Sequence, residues 1–196
     1  MMNKKILWAV ILSLFIIVIA LSIVCYSKTK TLEIVIKSCQ EYVDFADVES
    51  DKLNEINSIG YDLDTVILHS LDGDLVSLSE LVKDESRVFF RFSMTQCNSC
   101  VESQLEIISD ICKDLSKLII IVGREDNLRK VAILIKKYGI NSQLYKLTTT
   151  HLPLPVDSLR KPYFYVLDNS MIPQNIFIPN KKFPNLSISY INRTLK

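Results

Sequence analysis

The sequence has no surplus of charge of either sign and contains few residues that bind metals. Of its 196 residues, 23 are Lys or Arg and 22 are Asp or Glu, which gives a formal net charge of +1. Without a charge surplus, and without a basic cluster interleaved with aromatics, nothing indicates a nucleic-acid partner. The only histidines are His69 and His151, and no second Cys-x-x-Cys occurs, whereas structural zinc normally takes four ligands. We therefore expect no nucleic acid, no metal and no cofactor.

Cysteines are also few, with five at positions 25, 39, 97, 100 and 112. An odd number cannot all pair within one exported chain, and so small a set excludes a disulfide-stapled miniprotein. The sequence has no internal repeat and no low-complexity tract either. Cys97 and Cys100 stand out by their spacing. Cys39 and Cys112 fall on apolar helical stripes and are most simply packing residues.

One long apolar segment, residues 6–26, contains no charged residue across its 21 positions. As a helix it would cover ~31 Å, which matches a hydrocarbon core of ~30 Å. Signal-peptide apolar regions usually run to ~7–15 residues, so we expect an uncleaved transmembrane anchor, with a cleaved signal peptide as the alternative. A small excess of positive charge before the segment favours an N-terminus in the cytoplasm. The chain is then single-pass in the cytoplasmic membrane, with its C-terminal domain on the extracytoplasmic side, where disulfides persist.

The predicted organisation has four parts: a short cytoplasmic tail at residues 1–5, the anchor at 6–26, a linker at 27–59 and a folded domain at 60–196. The linker lacks Gly and Pro, and its apolar residues recur at helical spacing. This pattern favours a partly helical linker that carries the domain away from the membrane. Strand alternation at its start is the alternative.

The pattern after Gly60 alternates strands and helices, which predicts an α/β domain with a mixed sheet and helices on both faces. The Asp72-Gly73 pair indicates a tight turn between two short strands, and Gly139 stands where a left-handed helix cap is expected. The predicted elements are a β-hairpin over residues 64–78, a short helical turn near Leu81, a strand at 87–93, a helix at 97–115, a strand at 117–123, a helix at 126–138, a weaker strand at 142–147, a hairpin of strands at 163–168 and 174–179, and a helix at 183–195.

The stretch Cys-Asn-Ser-Cys, residues 97–100, lies between a predicted strand and a predicted amphipathic helix. Unpaired backbone N–H groups and the helix dipole stabilise a thiolate at the first turn of a helix, so Cys97 would be the acidic, nucleophilic sulfur. Cys100, one turn further along, would resolve the mixed disulfide formed by Cys97. A zinc half-site and an inert structural disulfide remain the alternatives.

Three other polar residues stand in apolar surroundings. Arg91 interrupts an apolar strand, which indicates either a partly exposed edge or an ion pair. His69 alternates within a strand and His151 lies in a polar loop, and neither has a visible acid or metal partner. We do not expect either histidine to be catalytic.

The segment "VFFRFSMTQCNSC", the helix after it and Pro162 before "YFYVLD" resemble the thioredoxin-like superfamily. The upstream "LDGDLVSLSEL" is similar to the segment before the first core strand in the membrane-anchored, TlpA-like or redoxin branch of thiol–disulfide oxidoreductases. The resemblance covers residues 60–196. It implies a thioredoxin-like fold, a central mixed sheet flanked by helices with an N-terminal β-hairpin extension.

The resemblance also implies a function, a membrane-tethered thiol–disulfide oxidoreductase that reduces extracytoplasmic disulfides through Cys97 and Cys100. Its partners would be protein disulfide or thiol substrates and a membrane-embedded thiol electron donor. The Lys161–Pro162 bond is expected to be cis, with the Lys161 backbone receiving the substrate. Gln96 stands where relatives commonly carry Trp, directly before the first cysteine. The predicted substrate-binding residues are therefore Lys161 and Pro162, from the proline segment, together with Gln96.

Two other functions remain open. The first is a non-enzymatic interaction module with the same fold, because fold alone does not require activity. The second is a thiol peroxidase. Peroxide-reducing relatives carry Pro-x-x-x-Thr/Ser-x-x-Cys, and the first and fifth positions of that pattern hold Phe90 and Met94 here. This departure disfavours the peroxidase.

Overall fold

The computed structural model describes residues 8, 14–15, 17–33, 36–37, 61–95, 98–112 and 114–195. The chain divides into two units, Met1–Lys52 and Leu53–Lys196, and each is described by itself. The predictions for the cytoplasmic tail, for Cys39, for most of the linker and for Gln96 and Cys97 lie outside the described residues.

The described part of the N-terminal unit is helical. Residues 17–33 and 36–37 adopt helical structure, and side-chain hydroxyls bond back to the preceding turn, as Ser22 Oγ does to Val18 O at 2.8 Å. Eight of the 21 residues of the predicted anchor lie outside the described residues. No helix formed by the residues that are described is long and apolar enough to cross a membrane.

The C-terminal unit is built on a mixed sheet of seven strands in the order β2-β1-β5-β4-β3-β6-β7. Strands β3, β4 and β5 run parallel, and the remaining pairings are antiparallel. The predicted α/β class, with its N-terminal hairpin extension, is confirmed. The strands are β1 (Ile67–His69), β2 (Leu75–Ser77), β3 (Arg87–Phe92), β4 (Leu118–Val122), β5 (Gln143–Leu147), β6 (Tyr163–Leu167) and β7 (Gln174–Phe177). The helices are α1 (Leu78–Leu81), α2 (Asn98–Ile111), α3 (Leu128–Lys137), a 3₁₀ helix (Pro155–Leu159) and α4 (Pro184–Thr194).

The core lies on both faces of the central strands. Strand β4 is buried throughout, because its apolar residues face packed layers on both sides of the sheet. One face carries Phe89 and Ile119, and the other carries Phe90 and Ile120. Helices α2, α3 and α4 all contribute to the second face, whereas α1, the 3₁₀ helix and loops cover the first. Helices therefore lie on both faces of the sheet, as expected, but those on the first face are short.

Two predicted boundaries differ from the structure by three residues or more, and a local hydrogen bond explains one of them. Helix α2 ends at Ile111, not at 115. The carboxylate of Asp114 accepts a hydrogen bond from Ser116 N at 2.9 Å, which closes a local turn instead of continuing the helix. Hydrogen bonding from Ser116 also lowers the pKa of Asp114. Strand β1 begins at Ile67, three residues later than predicted. Gly139 adopts the expected left-handed conformation, with φ +69°.

Candidate functional site

The described part of the Cys-x-x-Cys segment opens helix α2. Asn98 and Ser99 are exposed, and Cys100 is partly buried in the first turn. Cys100 is disulfide-bonded, whereas Cys25 and Cys112 are free thiols. The first turn of α2 contains no acidic residue, so no side chain of that turn opposes negative charge at the helix N-terminus.

A buried carboxylate, Asp126, fixes the segment that leads from β3 to this helix. Its Oδ1 accepts hydrogen bonds from Met94 N at 3.0 Å and Ser93 Oγ at 3.2 Å. Its Oδ2 accepts one from Gly123 N at 2.7 Å. Because Asp126 is only 5% exposed, these charge-assisted bonds form away from bulk water. They tie the chain after β3 to the chain after β4, three residues before Cys97 in sequence.

Gly123 is required here by the close approach of two side chains. A Cβ at this position would lie 3.0 Å from both Asp126 Oδ2 and Ser93 Oγ. Contacts this short force a shift of their neighbours. A residue larger than glycine would therefore disturb the network that holds the segment before the cysteines.

A buried ion pair lies at the same edge of the sheet. Arg91 Nε lies 3.0 Å from Asp157 Oδ1, although that N–H makes no aligned hydrogen bond. The same guanidinium donates to Asp157 Oδ2 at 3.4 Å and to the Phe92 carbonyl. Arg91 is on a central strand between β4 and β6, so the predicted alternative of an exposed edge is wrong and the ion pair is confirmed.

Asp157 organises further groups around it. Its carboxylate accepts hydrogen bonds from Tyr163 Oη at 3.1 Å and Leu152 N at 3.0 Å. His151 Nδ1 lies 3.4 Å from Asp157 Oδ2, so the acid partner that sequence reasoning did not find for His151 is present. Burial, and then the negative charge of Asp157, raise the pKa of Tyr163 well above its usual value.

The predicted substrate-binding residues Lys161 and Pro162 directly precede β6. Arg91 on β3 pairs with Tyr163 on β6, so Pro162 lies at the edge where β3 ends. Pro162 is buried and Lys161 is exposed. The expectation of a cis Lys161–Pro162 bond is wrong, since every described peptide bond is trans. The chain turns instead at Arg160, whose left-handed backbone, with φ 52°, closes the 3₁₀ helix.

A cavity of about 350 Å³ opens between the ends of β3 and β4 and the segment around the 3₁₀ helix. Its walls include both members of the buried ion pair, together with Ser93, Thr95 and His151. The segment that leads to the cysteines therefore forms part of the cavity wall. Among the residues described, no group of three or more His, Cys, Asp or Glu side chains could hold a metal ion.

Sequence reasoning missed Asp126, Gly123 and Asp157. Asp126 and Gly123 had one available signal, because they follow a buried strand at the carboxyl edge of a parallel sheet, where loops carry sites. Asp157 had none in its own segment. Only the unexplained charge of Arg91 indicated that such a partner must exist.

Comparison with known proteins finds similarity among solved structures. A thioredoxin-like protein from Porphyromonas gingivalis has a TM-score of 0.48 at 15% identity, covering 68% of this chain and 92% of its own. A thiol:disulfide interchange protein of the thioredoxin family from Chlorobium tepidum has a TM-score of 0.41 at 14% identity, covering 70% and 99%. A secreted disulfide oxidoreductase from Mycobacterium tuberculosis has a TM-score of 0.45 at 12% identity, covering 65% and 94%.

No family model and no curated protein sequence matches the chain. The disulfide chemistry named for the three similar structures is that of those proteins.

Proposed function

We propose that the chain is a thioredoxin-like thiol–disulfide oxidoreductase whose Cys97 and Cys100 exchange with disulfides of protein substrates. The observation that carries the proposal is the disulfide of Cys100 in the first turn of α2. Cys25 and Cys112 are free, and Cys97 stands three residues before Cys100 in sequence. A pair at that spacing, directly after a strand, fits reversible exchange better than a structural cross-link.

The exchange balances in two steps. The Cys97 thiolate attacks one sulfur of a substrate disulfide, whose S–S bond breaks and releases one substrate thiolate, and a mixed disulfide forms. The Cys100 thiolate then attacks the Cys97 sulfur and releases the second substrate thiolate. The protein pair becomes a disulfide, the substrate is reduced to two thiols, and those thiolates take up the protons lost by the two cysteines.

The described residues support this chemistry through positioning. The carboxylate of Asp126 holds the backbone of Met94, so the segment before Cys97 is tied to the sheet edge. Helix α2 directs unpaired N–H groups toward its own start, where a thiolate gains stability. We further propose that Gln96, Lys161 and Pro162 contact the substrate, since Pro162 lies at the edge where β3 ends.

The cellular setting belongs to the same proposal. Residues 6–26 would anchor the chain in the cytoplasmic membrane, with the C-terminal unit on the extracytoplasmic side. Each turnover as a reductase leaves the cysteine pair oxidised, so a membrane-embedded dithiol carrier would return it to the reduced form. The peroxidase alternative gains no support, because Phe90 fills the core against Phe164, with ring centroids 4.3 Å apart.

The proposal is tested by turnover of a small disulfide with the purified full-length chain and a dithiol reductant. The wild type should release thiol well above the uncatalysed rate, and Cys97→Ser should release none above it. Cys112→Ser is the matched control, because Cys112 is a free, partly buried cysteine, and its rate should equal that of the wild type. Equal rates in the wild type and Cys97→Ser would leave the interaction module as the remaining function.

A further inference from the structure

We propose that the cavity beside residues 93–95 is a subsite for a carboxylate group of the substrate, held next to the disulfide under exchange. The inference rests on the proposed function for its biological role. It rests on the cavity alone for its ligand chemistry.

The position of the cavity ties it to the cysteines. Ser93 and Thr95 lie on its wall, and Cys97 follows Thr95 by two residues. Two residues span at most ~7 Å, so the Cα of Cys97 is within that distance of the Cα of Thr95. The cavity and Cys97 are therefore close enough along the chain for one substrate to reach both.

The charges on the wall leave a single positive excess. Arg91 and Asp157 are both buried and neutralise each other's charge, with Nε and Oδ1 3.0 Å apart. Arg124 and Glu125 approach only to 3.9 Å, with side chains 58% and 80% exposed, which is a weak interaction. Arg160 also lines the cavity and has no ion-pair partner among the described residues. Its guanidinium is therefore the group available to an incoming anion.

The other polar groups suit an oxyanion. Thr95, Thr150 and His151 line the cavity. The Thr150 hydroxyl can donate to a carboxylate oxygen alongside a guanidinium fork, whereas the Thr95 hydroxyl donates to Ser93 Oγ and His151 Nδ1 lies beside Asp157. The volume of about 350 Å³ is at the lower end of the range for ligand sites. It accommodates an acidic side chain or a small organic acid.

A monoanion fits better than a dianion. The Arg91–Asp157 pair contributes no net charge, and the Glu125 carboxylate on the wall repels a second negative charge. These charges favour a carboxylate over a phosphate. The carboxylate could belong to an acidic residue of a protein substrate or to a small acidic disulfide, and the two sources share this chemistry.

The test compares two disulfides that share a two-carbon spacer, the acidic bis(2-carboxyethyl) disulfide and the neutral bis(2-hydroxyethyl) disulfide. The quantity measured is the ratio of kcat/KM for the acidic compound to that for the neutral compound, with the full-length chain at low salt. Arg160→Gln should lower this ratio about threefold to fivefold, the effect of one exposed charge pair. Arg160→Lys should retain most of it, because it keeps the charge. The matched control is Arg129→Gln, an exposed arginine of α3 outside the cavity, which should leave the ratio unchanged.

A second arm separates the sources of the carboxylate. Two disulfide-linked peptides are compared, one with Glu beside its cysteine and one with Gln there. A preference for the Glu peptide that Arg160→Gln removes assigns the subsite to protein substrates. A preference confined to the small acidic disulfide assigns it to small thiols. No preference for either acid, or an equal ratio in Arg160→Gln and wild type, would overturn the inference.

A third arm does not depend on exchange. Propionate, which has no sulfur, should shift the NMR signals of Thr95 and His151 in the wild type, and Arg160→Gln should need about threefold to fivefold more propionate for the same shift. Propionate binding without exchange would keep the subsite and reject the proposed function. Exchange without propionate binding or acid preference would keep the function and reject the subsite.

Discussion

Arg91 on β3 and Asp157 on the 3₁₀ helix form a buried ion pair, with Nε and Oδ1 3.0 Å apart and side chains 3% and 1% exposed. Removing one partner leaves an uncompensated buried charge, which typically costs ~3–5 kcal/mol. We expect Arg91→Met to lower the free energy of unfolding by this amount in denaturant titrations. The matched control, Arg124→Met, breaks an exposed pair worth ~0–1 kcal/mol. Equal losses in the two variants would contradict a structural role for the buried pair.

Two buried tyrosines offer a second comparison, because only one has a hydrogen-bond partner. Tyr163 donates to Asp157 at 3.1 Å, whereas the Tyr165 hydroxyl has no partner among the described residues. Tyr163→Phe should cost ~1–3 kcal/mol, since the carboxylate loses a donor. Tyr165→Phe should be neutral or stabilising, because it removes a buried polar group that is not satisfied. Denaturant titration of both variants checks the order, and the reverse order would contradict the assignment.

Three buried tyrosines predict loss of stability at alkaline pH. Burial raises the pKa of Tyr163, Tyr165 and Tyr190 in the folded chain, while unfolded tyrosine titrates near ~10. A group whose pKa is raised by folding stabilises the fold fully below the unfolded pKa and loses that contribution as pH rises above it. The free energy of unfolding should therefore fall as pH rises above ~10. Tyr165→Phe should make this fall shallower, and an unchanged slope would contradict the account.

The Asp126 network gives a prediction about both stability and exchange. Asn in place of Asp126 keeps one acceptor oxygen but directs an NH₂ group at a backbone donor. Asp126→Asn should lower the free energy of unfolding by ~1–3 kcal/mol and slow disulfide exchange, because the segment before Cys97 is held less firmly. Asp110→Asn, at an exposed position of α2, is the control. A loss of stability with no change in exchange would separate Asp126 from the proposed site.

Cys112 should react slowly although it is a free thiol. Burial raises the pKa of the Cys112 thiol, so little thiolate is present near neutral pH. In the oxidised full-length chain, timed alkylation read by peptide mass spectrometry should modify Cys112 much more slowly in the folded state than in denaturant. Equal rates in the two states would show that Cys112 is not protected by packing.

Local patterns in the sequence were sufficient to predict most strands and helices of the C-terminal unit. They were not sufficient to predict which side chains of different elements contact each other. Strands β3 and β4 were predicted because continuous apolar runs report burial on both faces. Helix α2 was predicted because Val101, Leu105 and Ile108 recur at helical spacing, and all three are buried. The partner of Arg91 could not be predicted, since it lies 66 positions away and its segment has no periodicity.

Only the part of the candidate site that lies within one short segment could be predicted from the sequence. The prediction for Cys97 and Cys100 rests on their spacing and on their place between a predicted strand and a predicted helix, which needs no tertiary information. The Asp126 network and the cavity bring together residues that follow different strands, so they depend on sheet order. The left-handed backbone of Arg160 could not be predicted either, because no residue type in that stretch favours it.

The most direct measurement of the central claim is a trapping experiment with Cys100→Ser in the full-length chain. Without its second sulfur, the protein should stop after one attack and accumulate a mixed disulfide with an added protein disulfide. Peptide mass spectrometry should find that link at Cys97, one per chain, and the double variant Cys97→Ser/Cys100→Ser should form none. A trapped link at Cys25, Cys39 or Cys112 with Cys97 unmodified would contradict the account.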